Sequence, residues 1–188
     1  MQTKYRGKPA HDEFSGALRM IGEVSSNIYE GLVYKASGVS FAIAAGAHAE
    51  FVLRTPAAPA LIQILGVILT GQGNPWRIEL REDVVGTLNP EIVGAFKNLN
   101  RSSILSTSLT VYDNATITDD GLLLDEGDFG GTAGQGNNAG DIGGGLMFFG
   151  WMLKPDSNYS IRAVNNTGTL ATLGIDLVIR ESTSPQGS

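Results

Sequence analysis

The 188-residue sequence contains no cysteine and only two histidines, His11 and His48. The absence of cysteine excludes disulfide bonds, thiolate nucleophiles and cysteine-ligated metals. The two histidines lie far apart in the sequence, in no spacing typical of a metal site or a catalytic triad, and no G-x-S-x-G nucleophile motif occurs. We therefore predict a protein that is not an enzyme, with no catalytic residues, no metal site and no cofactor.

Charged residues are also scarce, at 17% of the chain, and the net charge is −6. An acidic chain is poorly suited to neutralising phosphates, so we expect no general binding to nucleic acid. The longest uncharged run, around residues 61–70, has an apolar part of about a dozen residues, shorter than the roughly 20 that a membrane helix needs. No apolar signal-peptide region is visible near the N-terminus. These features predict no membrane partner and folding in a reducing cytoplasm.

The strongest structural pattern is a long C-terminal hairpin within residues 151–181. Residues 154–158 (KPDSN) and 165–168 (NNTG) have turn chemistry, because proline presets φ while Asp, Ser and Asn bond their own backbone. Apolar and polar residues alternate after each turn with the period of two that a half-buried antiparallel strand requires. A slip of one residue would bury Asp176 and Arg180, so the register is well specified. The residues expected on the buried face are Tyr159, Ile161, Ala163, Ala171, Leu173, Ile175, Leu177 and Ile179.

Shorter alternating runs, separated by turns, continue this pattern back to residue 39. About eight strands are expected, and Trp76, Ile78 and Leu80 form one apolar face among them. The glycine-rich stretch 130–145 lacks the lysine of a P-loop and is interpreted as a surface loop. We predict an all-β fold, an antiparallel two-sheet β-sandwich of the jelly-roll type at residues 39–182, followed by a tail at residues 183–188.

Residues 1–38 are predicted to form an extended or partly helical N-terminal arm. Apolar residues recur there at the three- and four-residue steps of a helix, but glycines and serines, which weaken helices, lie among them. Three basic residues form a tip before this pattern. The residues predicted to bind a partner are Lys4, Arg6, Lys8, Phe14, Leu18 and Ile21. The alternatives left open are an unattached tail and additional strands of the same domain.

One strand pattern, in residues 61–69 (LIQILGVIL), is apolar at nearly every position. Such a run is typical of a strand that is buried on both sides. Because one side of a sheet in a small sandwich faces outwards, the second side would be covered by a neighbouring subunit. Ile62, Ile64 and Ile68 are therefore predicted to contact another subunit, and a core strand with imperfect alternation is the alternative.

Two further features are considered as binding sites. Seven acidic residues lie within residues 113–141, a segment without Lys or Arg. We interpret them as a solvated acidic face that could meet a basic surface on a neighbouring subunit, in preference to a Ca²⁺ site, because no EF-hand-type loop is present. The aromatic residues Trp76, Trp151, Tyr112 and Tyr159 could form a sugar-stacking platform, although aromatic residues on strands more often belong to a core.

Six short stretches then stand out by their order: EFVLRTP at 50–56, NLNRSS at 98–103, TITDDG at 116–121, WMLKP at 151–155, NYSIR at 158–162 and VNN at 164–166. Together they resemble jelly-roll virion proteins of tailed double-stranded DNA bacteriophages, especially capsid decoration (cement) proteins. The shared pattern consists of strands and turns and contains no catalytic signature. It extends over about residues 48–181 and leaves residues 1–38 outside.

The resemblance implies a non-enzymatic capsid decoration protein that is made in the cytoplasm of the bacterial host and carried on the exterior of the virion. It implies the major capsid protein as a partner, together with further copies of the chain in a homotrimer. The alternative function is a head-fibre or tail adhesin that binds a cell-surface glycan, since Trp76 and Trp151 lie next to predicted turns.

Overall fold

The computed structural model describes residues 25–71, 76–88, 91–92, 96–113, 115–129 and 150–183. In this part of the chain, a short helix at residues 25–29 precedes twelve β-strands. The strands are β1 (Val33–Ile43), β2 (His48–Arg54), β3 (Leu61–Gly71), β4 (Trp76–Glu82), β5 (Val85–Thr87), β6 (Phe96–Asn98), β7 (Thr110–Asp113), β8 (Thr116–Asp119), β9 (Leu122–Phe129), β10 (Met152–Leu153), β11 (Asn158–Asn165) and β12 (Ala171–Ser182).

Ten of these strands form two five-stranded antiparallel sheets. Sheet A has the strand order β10-β3-β12-β1-β6, and sheet B has the order β7-β2-β11-β4-β9. Apolar side chains from both sheets, including Phe51, Trp76, Ile161 and Ile175, pack in one core. The prediction of an all-β, antiparallel two-sheet sandwich is confirmed.

The pairing between strands follows one rule along the chain. β1 pairs with β12, β2 with β11, β3 with β10, β4 with β9 and β5 with β8, always antiparallel. The described chain is therefore folded like a single long hairpin, with β1–β5 in one half and β8–β12 in the other. The additional pairs β3–β12 and β4–β11 join neighbouring turns of this hairpin into the two sheets.

The C-terminal hairpin has the alternation that the sequence predicts. The turn before β11 contains Asp156 with a φ of 50°, a left-handed conformation that aspartate tolerates. β12 lies between β1 and β3, so its inward row forms the centre of sheet A. The buried residues on the inward rows of the two strands are Tyr159, Ile161, Ala163, Ala171, Leu173, Ile175, Leu177 and Ile179.

Asn165 joins two turns at one end of the sandwich. Its fully buried side-chain amide donates hydrogen bonds to the carbonyl oxygens of Ile43 (2.8 Å) and Thr169 (2.9 Å). Its side-chain oxygen accepts a hydrogen bond from the Thr167 N–H (2.8 Å), and its backbone carbonyl accepts one from the Gly46 N–H (2.8 Å). The β1–β2 turn and the β11–β12 turn are thus connected through a single residue whose polar groups are satisfied.

The sandwich begins earlier in the chain than predicted. β1 starts at Val33, and Val33, Tyr34 and Ala36 are buried and paired with β12. Residues 33–38 therefore belong to sheet A, and the predicted boundary between residues 38 and 39 is corrected to a point before Val33. A register shift between Ala36 and Val39 interrupts the alternation along β1, which hides the strand in the sequence.

The apolar run on β3 contributes residues to the core from only one face of the sheet. Ile62 and Ile64 are buried in the core of their own chain, whereas Ile68 is half-buried on the outer face. The interpretation that a neighbouring subunit covers Ile62 and Ile64 is therefore corrected. Contact of Ile68 with another subunit stays a prediction.

A β-bulge explains why this run looks apolar on both sides. β12 pairs Ile64 and Gly66 with two consecutive residues, so Leu65 is an extra residue on β3. The bulge moves the inward positions by one, and Val67 and Leu69 follow Ile64 into the core. Even-numbered residues therefore face the core before Leu65, and odd-numbered residues face the core after it.

A second, smaller apolar cluster lies on the outer face of sheet B. Val52 from β2 packs there with Val84 and Ala115, which flank the two-stranded sheet of β5 and β8. This small sheet covers one part of sheet B. The turn that follows β8 places Asp120 over the neighbouring part, where it meets charged residues of β4 and β11.

The central position of β12 leads to a stability prediction. Ile175→Asp puts a carboxylate with no partner among apolar side chains, where Ile175 is 1% exposed. We expect a loss of more than about 4 kcal/mol in the free energy of unfolding, enough to leave the protein unfolded. Thr172→Asp adds the same charge at an exposed position of the same strand and should keep the cooperative thermal transition. Equal effects of the two substitutions would contradict the assigned register.

Candidate functional site

Four apolar residues are exposed together at the β6 edge of sheet A, and we call them the edge patch. They are Tyr29 from the short helix, which is 82% exposed, and Leu99, Ile104 and Leu105 from the segment after β6, of which Ile104 is 99% exposed. The Asn100 side chain donates to the Tyr29 carbonyl (2.8 Å), so the helix and this segment lie side by side. Single exposed apolar residues are common, but neighbouring ones mark an interaction surface.

Polar side chains hold the edge patch in place. Asn98 donates to the carbonyl oxygens of Gly31 (2.8 Å) and Leu105 (3.2 Å), and it accepts from the Asn100 N–H (2.9 Å). Ser103 Oγ accepts from the Leu105 N–H (3.1 Å). Asn and Ser side chains that bond nearby backbone groups fix tight turns without apolar packing. The patch is therefore preorganised although its apolar side chains face solvent.

Glu181 attaches the next part of this segment to the end of β12. Its carboxylate accepts hydrogen bonds from the Thr107 hydroxyl (2.6 Å) and the Ser108 N–H (2.9 Å). The carboxylate therefore anchors residues 107–108 to the end of β12. Burial, followed by the proximity of Glu181, raises the pKa of Tyr34.

Gly31 allows the helix and the segment after β6 to approach closely. Its φ is +76°, and a Cβ atom built on it would lie 2.8 Å from the Ser103 Cβ. Any other residue would be strained by its backbone conformation and would also collide with this neighbour. Gly31 is therefore required for the geometry of the edge patch.

A second constellation, the sheet B charge network, lies on the outer face of sheet B beside the small β5–β8 sheet. Arg162 at its centre donates to the carboxylates of Glu50 and Asp120, and Arg81 donates to Glu79 (2.7 Å). Glu50 is only 3% exposed and Glu79 only 6%. Each of these buried carboxylates is paired with a guanidinium, which offsets the cost of burying its charge. The network is suited to fastening the β8–β9 turn.

A third polar group closes the far end of the core near β11. The Tyr159 hydroxyl donates to Glu82 (2.7 Å) and accepts from the Lys154 N–H (2.7 Å), while Lys154 Nζ lies 2.6 Å from the other Glu82 oxygen. Burial and the bond to Glu82 raise the pKa of Tyr159. All the polar atoms of this group have partners, so we interpret its role as structural.

The residues predicted to form a site are not assembled into one site in the described part of the chain. Ile62 and Ile64 lie in the core and Ile68 on the outer face of sheet A. His48 is exposed, and its ring lies 3.8 Å from Glu50. The predicted partner-binding residues Lys4, Arg6, Lys8, Phe14, Leu18 and Ile21, like His11 and Asp141, lie outside the described residues.

Two carboxylates of the predicted acidic face, those of Asp120 and Glu126, form ion pairs with arginines in the described part of residues 113–141. Asp120 bonds Arg162, Glu126 bonds Arg77, and Asp125 accepts a bond from the Trp151 indole (3.4 Å). These arginines come from β4 and β11, which are distant in sequence but adjacent in sheet B. The interpretation as a solvated acidic face is therefore corrected at Asp120 and Glu126.

The predicted aromatic platform is not assembled. Trp76 and Tyr159 are fully buried in the core, and Trp151 is half-buried against it. Tyr112 packs on the small cluster around Val52 on the other side of sheet B. The four aromatic residues therefore do not form a common surface on which a sugar ring could stack.

Neither a membrane-spanning helix nor a metal-binding group is present among the described residues. The helix there is too short to span a membrane. No group of three or more His, Cys, Asp or Glu residues there is placed to hold a metal ion. Comparisons of the chain with protein-family models, curated proteins and solved structures gave no match. Other described apolar residues, including Val85, Leu122 and Leu170, are also exposed, and the edge patch is distinguished by the side-chain hydrogen bonds that hold its two segments together.

The close approach at Gly31 leads to a prediction with an internal control. Gly31→Ala should cost about 1 kcal/mol for the positive φ and about 1–3 kcal/mol more for the contact with Ser103. Gly46→Ala has a similar φ of +70° but no atom within 4 Å of the added Cβ, so only the first cost applies. Urea unfolding of both variants measures the difference, and equal losses would show that the contact at Gly31 is absent.

The sheet B charge network leads to another prediction. Arg162→Met leaves the buried Glu50 without its guanidinium and should cost about 3 kcal/mol in the free energy of unfolding. Arg54→Met removes an exposed arginine from a neighbouring strand, 3.9 Å from the exposed Asp156, and should cost less than about 1 kcal/mol. Urea denaturation at neutral pH compares the two variants. A loss in Arg162→Met no larger than in the control would mean that the network does not stabilise the fold.

The same network gives an expected pH dependence. The hydrogen bond from Arg162 holds the pKa of Asp120 below its ordinary value of 3.8. A carboxylate with a lower pKa in the folded state contributes stability above its unfolded pKa, and this contribution is lost as the pH falls through the folded pKa. Below about pH 4 the wild-type protein should therefore lose stability that Arg162→Met has already lost. Thermal unfolding of both proteins between pH 6 and pH 3 measures whether their stabilities converge, and parallel curves would contradict the assignment.

Proposed function

We propose that this protein is a non-enzymatic structural component of a virion, a decoration or cement protein that binds a bacteriophage capsid and stabilises it. The observation that carries the proposal is the edge patch, a preorganised apolar surface on a sandwich whose core is already complete. A folded domain gains nothing by itself from exposing Tyr29 and Ile104. Such a surface is useful when it is covered by another protein.

The strand order supports the finer part of the fold prediction, the jelly roll. Two four-stranded sets, β10-β3-β12-β1 and β2-β11-β4-β9, lie in the two sheets, and each strand of the first half pairs with its counterpart of the second half. A long hairpin rolled into two sheets is the winding expected of a jelly roll. The stretches that resemble decoration proteins occupy this frame, and one of them, residues 98–103, forms part of the edge patch.

The physical basis of such a function is mass action. A protein that binds an assembled shell and not its free subunits shifts the equilibrium towards the shell. Weak contacts become effective when many copies are held on one lattice or joined in a trimer, because each further contact is intramolecular. In this proposal the N-terminal arm would anchor the protein to neighbouring subunits, and the partners would be the major capsid protein and other copies of this chain.

The alternative function, a glycan-binding adhesin, receives less support. It depended on exposed aromatic residues at turns, and the core contains Trp76 at 0% exposure. Trp76→Ala would therefore destabilise the fold, and a loss of glycan binding in that variant would carry no information about a sugar site. No other described constellation favours a sugar ligand over a protein surface.

The test of the proposal is the copy number of this chain relative to the major capsid protein in purified particles, measured by quantitative peptide mass spectrometry. We expect on the order of hundreds of copies per particle, as the repeated sites of a shell lattice require. A dozen copies or fewer would place the chain in the portal, tail or fibres and would favour the adhesin. Its absence from particles would overturn the proposal.

A further inference from the structure

Arg180 is a buried cation without a partner in the described part of the chain. The residue is 8% exposed, and its Nε has no hydrogen-bond partner. No ion pair to Arg180 is formed by the described residues, whereas Lys35, on the same face of the sheet, lies 2.9 Å from Asp176. Burying a charge without a counter-ion is unfavourable. An anion from outside the described residues would supply the counter-ion that Arg180 lacks among them.

Arg180 lies next to the edge patch. It is paired with Val33 across β12 and β1, and the Leu99 N–H donates to the Val33 carbonyl (2.9 Å). Directly opposed residues on neighbouring strands face the same side of a sheet, so Arg180 and Val33 share the outer face of sheet A. Arg180 and Leu99 of the edge patch thus lie on opposite sides of Val33 at this end of the sheet.

The N-terminal segment, residues 1–24, has the chemistry that this surface requires. Phe14, Leu18 and Ile21 are spaced so that one face of the segment would be apolar. Asp12, Glu13 and Glu23 lie beside this apolar set, Arg19 lies within it, and the other basic residues of the segment, Lys4, Arg6 and Lys8, come before it. An apolar stripe flanked by carboxylates is complementary to an apolar patch flanked by a cation.

The segment also ends where the surface begins. Residue 24 leads directly into the helix at residues 25–29, and that helix contributes Tyr29 to the edge patch. The chain from Phe14 to Ser25 spans at most about 40 Å when it is extended. A tethered segment of this length has a high effective concentration at a surface beside its attachment point.

We propose that, in the free protein, residues 1–24 of the same chain dock on the edge patch, with Phe14, Leu18 and Ile21 against its apolar residues and a carboxylate of the segment paired with Arg180. This inference concerns the free protein in solution and does not depend on the proposed virion function. Docking shields the apolar surface until a larger partner competes for it or receives the segment.

The test uses the absence of cysteine, because one introduced thiol is then the only one. Ile104→Cys places a thiol at the position that is 99% exposed, and Leu170→Cys places one in the β11–β12 turn, where Leu170 is 69% exposed. The rate of reaction with a colorimetric disulfide reagent is measured in the full-length protein and divided by the rate of the same variant in urea. We expect the thiol of Ile104→Cys to react about tenfold more slowly than that of Leu170→Cys.

A second set of variants tests the occupant. Combining Ile104→Cys with Phe14→Ser, Leu18→Ser and Ile21→Ser should restore the rate of Leu170→Cys. The milder Arg180→Gln should restore it in part. Protection that survives the three serine substitutions, or an unprotected Ile104→Cys thiol in the parent protein, would overturn the proposal.

Dilution decides whether the segment belongs to the same chain. Protection by a tethered segment is independent of protein concentration, whereas protection by a second copy is lost on dilution. We expect the same rate for Ile104→Cys across a hundredfold range of concentration. A rate that rises to the Leu170→Cys value on dilution would overturn docking within one chain, and it would leave the capsid proposal untouched, since that proposal is tested on particles.

Discussion

The pairing of β12 with both β1 and β3 is the constraint on which the rest of the structure depends. β12 begins after the turn that Asn165 organises and ends at the carboxylate that holds residues 107–108. Its inward row, from Ala171 to Ile179, forms the centre of the core. Because β1 and β3 are positioned by this strand, the ends of β1 determine where the helix and the edge patch lie.

The two outer faces of the sandwich are completed in different ways. On sheet B, the small β5–β8 sheet and the charge network around Arg162 cover the surface with residues of the described chain. On sheet A, the corresponding cation, Arg180, has no counter-ion among the described residues, and apolar side chains beside it face solvent. Among the described residues, Arg162 on sheet B is therefore paired with two carboxylates, whereas Arg180 on sheet A has an Nε without a hydrogen-bond partner.

The parts of the fold that follow from local alternation could be predicted from the sequence. The C-terminal hairpin is the clearest case, because its turns contain Pro, Asp and Asn and its strands alternate without interruption. At two other places an interruption of the alternation made the prediction wrong. The bulge at Leu65 made a one-sided strand look two-sided, and the register shift after Ala36 hid the beginning of β1. A bulge inserts one residue without a characteristic composition, so it is visible only once the partner strand is known.

The candidate surface was harder to predict than the fold. The stretch 98–103 belongs to the resemblance, but its role as a scaffold for exposed Ile104 arises from bonds made by Asn98, Asn100 and Ser103 to local and distant backbone. The pairing of Arg162 with Asp120 joins residues 42 positions apart in the sequence. The alternation of apolar and polar residues predicts which face of a sheet a residue occupies, but not which side chains contact each other on that face. Surfaces that depend on such contacts can be identified only from the structure.

The bond from the Glu181 N–H to the Leu32 carbonyl places the two ends of the described chain side by side. Tyr29 and Arg180 therefore both lie at the end of the sandwich where the described part of the chain begins and ends. The turn around Leu170, which belongs to the group joined by Asn165, lies at the other end of β12 and is exposed. For attaching the protein to a bead or sensor with the edge patch accessible, that turn is the more suitable attachment point.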